Sequence, residues 1–218
     1  VNYALIGHRR IGKTTILKEV EKRLDGKVLT IYVDFSEWRL SSLEFVETIV
    51  EKTTRAYAKT LSPSSRLIGS VRAALAEITK IKRLRAGFKI GLDEAGKPTI
   101  SIEPYIKLED VKYAEMLGKA FDFVNQVSER SGKRIVVIID EFQHLANYKA
   151  FKGLETIIEK FRAILERREN VSFIISGSRV HFLRDLLGSG GSPIFGHFAI
   201  MKSVSFRKNL LWNYILAQ

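Results

Sequence analysis

The first hydrophobic run, Val1 to Ile6 ("VNYALI"), is short and continuous, which predicts a buried strand. The period then changes. From Lys13 to Leu24 the apolar residues Ile16, Leu17, Val20 and Leu24 recur at helical spacing, so an amphipathic helix follows a glycine-bearing break. "KVLTIYVDF" is a second β-rich run ending at Asp34, and Ser41 and Ser42 offer an N-cap for a helix reaching about Tyr57. Strand and helix alternating in this way imply a parallel sheet covered by helices on both faces.

Between Ser62 and Asp110 the rhythm breaks. "RLIGSVRAALAEITKIKRLRAGFKI" begins as a basic helix, and "GFKIGLDEAGKPTISIEPYI" reads as two short strands joined by a turn at Ala95, Gly96 and Lys97. This stretch is expected to be an insertion. The α/β rhythm resumes with a helix from about Asp110 to Ser131 and the apolar strand "RIVVIID". A helix from about Phe151 to Arg168, the strand "VSFIIS", a short helix near Val180 to Leu187 and a last strand within "HFAIMKSVSF" complete the pattern. "GSGGSP", Gly188 to Pro193, reads as a flexible loop and not as a domain linker.

Composition narrows the picture. A chain of 218 residues that is 45% hydrophobic supports one globular unit with an elaboration. Its 36 Lys+Arg against 24 Asp+Glu leave a formal charge of +12, which favours a polyanionic partner such as nucleic acid, nucleotide or an acidic protein face. From Arg66 to Leu92 the positives are Arg66, Arg72, Lys80, Lys82, Arg83, Arg85 and Lys89, against Glu77 alone. Seven minus one is +6, half of the net charge. The absence of cysteine excludes a disulfide framework and thiolate metal sites, and fits an intracellular protein. No apolar run is long enough to span a bilayer, so a soluble, cytoplasmic protein with no membrane partner is expected.

Chemistry enters with "GHRRIGKTTIL", where Gly7, Gly12, Lys13 and Thr14 satisfy the phosphate-loop pattern G-x-x-x-x-G-K-[ST]. Glycines let backbone N–H groups curl around phosphate oxygens, and the helix that follows adds its positive N-terminal dipole. Lys13 is expected to reach the β- and γ-phosphates and Thr14 to place its hydroxyl on Mg²⁺. "RIVVIIDEF" then delivers Asp140 and Glu141 at the end of a strand. Such an aspartate serves Mg²⁺ through the ion's water shell, and the glutamate can orient and deprotonate an attacking water. No N-K-x-D guanine-reading motif is present, which favours ATP. A third strand opens into Ser176, Gly177, Ser178 and Arg179, where a polar side chain could sense the γ-phosphate; the sequence does not rank Ser176, Ser178 and Arg179. His8, His144, His181 and His197 show no metal-binding spacing.

Taken together, "GHRRIGKTT", "VVIIDEFQHL" and "FIISGSR" followed by "SPIFGH" resemble the archaeal ATPase family, a branch of the STAND class related to AAA+ proteins. The resemblance runs from Val1 to about Phe206. It implies an α/β P-loop NTPase three-layer sandwich with a mainly parallel five-stranded sheet of the additional-strand-catalytic-glutamate type, the sensor strand lying between the two Walker strands. It also implies a P-loop ATPase domain over residues 1–206 carrying a basic helix and β-hairpin insertion at 62–110, with 207–218 beginning a further C-terminal region. Gly7, Arg9, Arg10, Ile11, Gly12, Lys13, Thr14 and Thr15 would bind ATP or ADP, Thr14 and Asp140 would serve Mg²⁺, and Glu141 would be the base. Lys13, Ser176, Ser178 and Arg179 would complete the hydrolytic site. The family often carries an arginine where this chain has His197, which points to slow intrinsic turnover.

The resemblance thus implies an Mg²⁺-dependent ATPase acting as a conformational or assembly switch, with homo-oligomer formation as one mode. Two alternatives stay open: a nucleic-acid-binding module in which ATP is a structural ligand, with DNA or an acidic protein at the basic insertion, and a truncated, inactive remnant.

Overall fold

The strands coincide with the apolar runs. A computed structural model describes residues 1–37, 42–58, 85–92, 98–105, 113–144, 157–167 and 170–202. Within them lie β1 (Tyr3–Ile6), α1 (Lys13–Leu24), β2 (Leu29–Asp34), α2 (Ser42–Ala58), β3 (Arg85–Leu92), β4 (Pro98–Tyr105) and α3 (Tyr113–Ser131). β5 (Ile135–Asp140), α4 (Ile157–Glu166), β6 (Val171–Gly177), α5 (Val180–Gly188) and β7 (Ala199–Lys202) follow. The expected basic helix before β3, the turn at Ala95 to Lys97, the start of the helix at Phe151 and everything beyond Lys202 lie outside the described residues.

One sheet has five strands in the order β2-β5-β6-β1-β7, and every neighbouring pair is parallel. β1 and β2 are adjacent in sequence yet separated in space by β5 and β6, so β6, the expected sensor strand, lies between the strand that leads into Gly7 and the one that ends at Asp140. This is the strand arrangement the family resemblance implied. The central strands are buried almost throughout, in keeping with their unbroken apolar runs.

Strand parity divides the core. Ala4, Ile6, Ile31, Val33, Val137, Ile139, Phe173 and Ile175 point to one face, where residues of α2, α3, α4 and α5 bury against them. Tyr3, Leu5, Tyr32, Ile138 and Ile174 point to the other, against Leu17 and Val20 of α1. The result is the expected three layers. On the broader face an aromatic cluster fills the space: Phe161 lies 5.3 Å from both Phe142 and Phe173, and 6.1 Å from Phe121, between ring centroids. Phe142 directly follows the Asp140-Glu141 pair, so the cluster anchors that acidic turn to the core.

The second sheet is the antiparallel hairpin of β3 and β4, with Arg85 opposite Tyr105 and Leu92 opposite Pro98. Its strands are eight residues each, and β4 runs beside α2.

Phe161→Ala removes the ring at the middle of the aromatic cluster and is expected to lower the free energy of unfolding by about 3–5 kcal/mol in a denaturant titration.

Candidate nucleotide-binding site

Because the sheet is parallel, the loops after β1, β2, β5 and β6 all leave it at the same edge, the usual location of a ligand crevice in such folds. The loop after β1 starts at Gly7, whose N–H donates to the carbonyl of Gly177 at 3.3 Å and so ties it to the end of β6. Arg10 (φ 65°) and Gly12 (φ 90°) both adopt the left-handed conformation, which curls the backbone into a concave turn before α1 begins at Lys13. Gly12 has nothing near its missing Cβ; it is the backbone angle that calls for glycine there.

Lys13 is 5% exposed, and its Nζ donates to the carbonyls of Gly7 (2.9 Å) and His8 (2.8 Å). Burial lowers its pKa below the ordinary lysine value; Glu141 and Asp140 oppose that shift and Arg9 adds to it. A cation desolvated at the mouth of a loop of N–H groups is poised for anionic oxygens. Arg9, Arg10, Ile11, Thr14 and Thr15 are exposed around it.

Asp140, at the end of β5, is 1% exposed and takes hydrogen bonds from every side. Oδ2 accepts from Thr14 Oγ1 at 2.7 Å and from Tyr32 OH at 2.9 Å. Oδ1 accepts from Ser176 Oγ and from the Glu141 N–H at 3.0 Å. Hydroxyls from α1, β2 and β6 therefore converge on one carboxylate. Glu141 follows in the left-handed region at φ 53°, an uncommon conformation for a non-glycine residue. Its Oε2 accepts from Ser178 Oγ at 2.9 Å and from Gln143 Nε2.

The residues expected from the motifs are thus brought together, with two refinements. Ser176 in β6 faces Asp140 and Ser178, just past the strand, faces Glu141, so these two serines divide between the two acids. Arg179 is exposed just ahead of α5, where its carbonyl accepts from the N–H of Leu183, and it makes no ion pair among the described residues. His197 is placed away from this edge. Its carbonyl accepts from Asn2 Nδ2 at 3.2 Å, and the next bond, Ala199 N–H to Asn2 O at 2.9 Å, joins the starting ends of β7 and β1. The length of β1, about 13 Å at a usual strand rise, separates that end from the phosphate loop. An arginine at this position would therefore start from the opposite end of β1 from the loop of its own chain.

Two residues escaped the motif reading. Tyr32 is the hydroxyl-bearing residue among the buried residues of β2, the others being Leu29, Ile31 and Val33, and Lys18 of α1 sits 3.3 Å from its ring centroid. Gln143 is 1% exposed, a buried amide inside "DEFQH" whose polarity was the available signal.

A parallel sheet of this order, with a glycine-lysine loop after one strand and an acid pair after its second neighbour, defines a P-loop nucleoside-triphosphatase fold. The AAA domain family matches residues 2–187, and the chain belongs to that family, whose domains bind ATP. Among solved structures, a Walker-type ATPase of Pyrococcus abyssi is similar at 21% identity with a TM-score of 0.50, covering 92% of this chain and 48% of that one. The Orc1 protein of Aeropyrum pernix, solved in complex with DNA, is similar at 15% identity with a TM-score of 0.48, covering 92% of this chain and 38% of that one. The chain spans about half the length of the first and less of the second. The likeness to the first speaks for the fold alone. No curated protein sequence matches significantly. No helix among the described residues is long and apolar enough to cross a membrane.

Tyr32→Phe tests the convergence on Asp140. Burial first, then the Asp140 charge and hydrogen bond, raise the Tyr32 pKa well above its ordinary 10.0. The phenol's contribution to stability is therefore fully present below pH 10.0 and is lost as pH rises beyond it. At neutral pH the variant is expected to be less stable by about 1.5–3 kcal/mol, the worth of a bond to a charged group. Its stability should also fall less between neutral and strongly alkaline pH than that of the parent, as followed by urea unfolding.

Proposed function

We propose that this chain is an Mg²⁺-dependent ATPase of the STAND type, coupling ATP binding and hydrolysis to a conformational or assembly change. The observation that carries the reading is the meeting of Thr14 and Asp140 at 2.7 Å with Glu141 immediately beside them, at the edge where the phosphate loop opens. Thr14 Oγ1 and the Asp140 carboxylate are hard oxygen donors of the kind Mg²⁺ takes, and they fit the ion. Mg²⁺, when held there, would offset charge on the β- and γ-phosphate oxygens.

The chain's own residues would then act as follows. Backbone N–H groups from Gly7 to Lys13 cradle the phosphates, and the Lys13 ammonium turns from the carbonyls of Gly7 and His8 to the β- and γ-oxygens. Glu141 accepts a proton from the water that attacks the γ-phosphorus, and ADP leaves from the opposite side. Ser176 keeps Asp140 in place. Ser178, on Glu141, is the residue through which the end of β6 would register the γ-phosphate. Arg179 is free to contact nucleotide or a neighbouring molecule. The domain is proposed to span 1–206, with 62–110 as its insertion and 207–218 opening a further region. ATP is favoured over GTP because the chain has no N-K-x-D motif.

Glu141→Gln is expected to retain ATP while its rate of phosphate release falls on the order of 10²–10⁴-fold. Unchanged release would sink the assignment. Thermal melting with ATP and Mg²⁺ checks binding separately, since a ligand at a hundred times its dissociation constant stabilises by about 2.7 kcal/mol; Lys13→Ala should abolish that shift.

A second reading, DNA binding at the insertion, rests on the +6 charge from Arg66 to Leu92. It predicts duplex affinity that falls steeply with salt and is lost on neutralising Lys80, Lys82, Arg83 and Arg85 together. Salt-independent or absent binding would end it.

A further inference from the structure

A base must be aimed, and Glu141 is not aimed by its own backbone. It sits in the left-handed region, on a turn of one residue between β5 and the short 3-10 turn at 142–144, so its carboxylate depends on neighbours for direction. Those neighbours are Gln143 and Ser178. Gln143 is 1% exposed, so its amide must be satisfied inside the protein. Nε2 donates to Glu141 Oε2 and to Ser178 Oγ at 3.2 Å, while Oε1 accepts from the Ser178 N–H at 3.3 Å. Ser178 Oγ in turn donates to Glu141 Oε2 at 2.9 Å.

The amide has one workable orientation. Turned over, Oε1 would face the carboxylate, acceptor against acceptor, and Nε2 would face the Ser178 N–H, donor against donor. The adjoining strand is shaped to it as well. A Cβ on Gly177 would collide with Gln143 Oε1 and with the Leu183 side chain, so β6 ends in the one residue that lets the amide lie against its backbone.

We propose that Gln143 is a positioning residue for the hydrolytic glutamate. It anchors Glu141 Oε2 to the end of β6, leaving Oε1, which accepts no hydrogen bond among the described residues, to take the proton of the attacking water. This rests on Glu141 being the base. It adds that the direction of the base and the position of Ser178 are set by one shared side chain, so a displacement of the β6 end on contact with the γ-phosphate is transmitted to Glu141.

The test measures three quantities on the full chain: the ATP dissociation constant, the melting temperature and the turnover of saturating ATP with Mg²⁺. Gln143→Ala is expected to keep ATP affinity within about threefold while turnover falls on the order of 10–100-fold, the effect of a misplaced reacting group. Gln143→Met preserves side-chain length and burial without an amide, and should be equally slow even where the alanine variant folds poorly. Ser178→Ala should slow turnover as well, and the Gln143→Met, Ser178→Ala double variant should lose less than the product of the two single losses, because both donors serve the same oxygen. Glu141→Gln is the reference. If it is inactive while the Gln143→Met protein turns over normally, or faster, the positioning role is overturned and the base is not. If Glu141→Gln itself turns over normally, the base assignment fails instead. A loss of melting temperature and ATP affinity with unchanged turnover would mark Gln143 as structural only and overturn the proposal.

Discussion

The site depends on a carboxylate buried at the end of a central strand. Asp140 at 1% exposure would be costly as an isolated charge, and it is tolerated because four donors reach it. Each donor comes from a different piece of the molecule: Thr14 from the first turn of α1, Tyr32 from β2, Ser176 from β6 and the N–H of Glu141 from the turn itself. Satisfying one anion therefore brings the phosphate loop, an outer strand and β6 into register. The strand pairing that aligns Asp34 with Asp140 and Ile139 with Ile175 is the same constraint seen from the backbone.

From that point the acidic turn is held twice. Phe142 binds it to the aromatic cluster on one face of the sheet, and Gln143 binds it to β6. Between these anchors Glu141 occupies a backbone conformation it would not choose alone. Lys13 is arranged by the same economy of partners, with its buried ammonium resting on loop carbonyls beside two acids. The phosphate loop and the acid pair thus face one another across β6.

Much of the framework was legible because each central strand is a continuous apolar run and each helix keeps a single period. α1 is found at Lys13–Leu24, where the spacing of Ile16, Leu17, Val20 and Leu24 put it. The hairpin was legible as two short strands around a glycine-bearing turn, although β3 begins at Arg85, within residues whose basic character suggested the tail of a helix. The acids and the phosphate loop were legible because their chemistry demands a fixed spacing along one stretch of chain. Tyr32 and Gln143 were not, since each acts on a partner that is near only after the sheet has formed: Tyr32 is 108 positions from Asp140, and Gln143 is 35 positions from Ser178.

His197, which stands where the family often carries an arginine, is set by the fold at the far end of β1 from the phosphate loop. Local sequence by itself determined which segments are strands and helices, where a loop of N–H groups would form and which strand would deliver the acids, because these follow from period, glycine placement and side-chain type within a few residues. Only the tertiary structure decided that Ser176 and Ser178 face different acids, that a tyrosine and a glutamine complete their shells, and that His197 lies at the far end of β1. Those outcomes depend on strand order and register, and a hydrogen bond exists only where two distant stretches of chain are brought within about 3 Å.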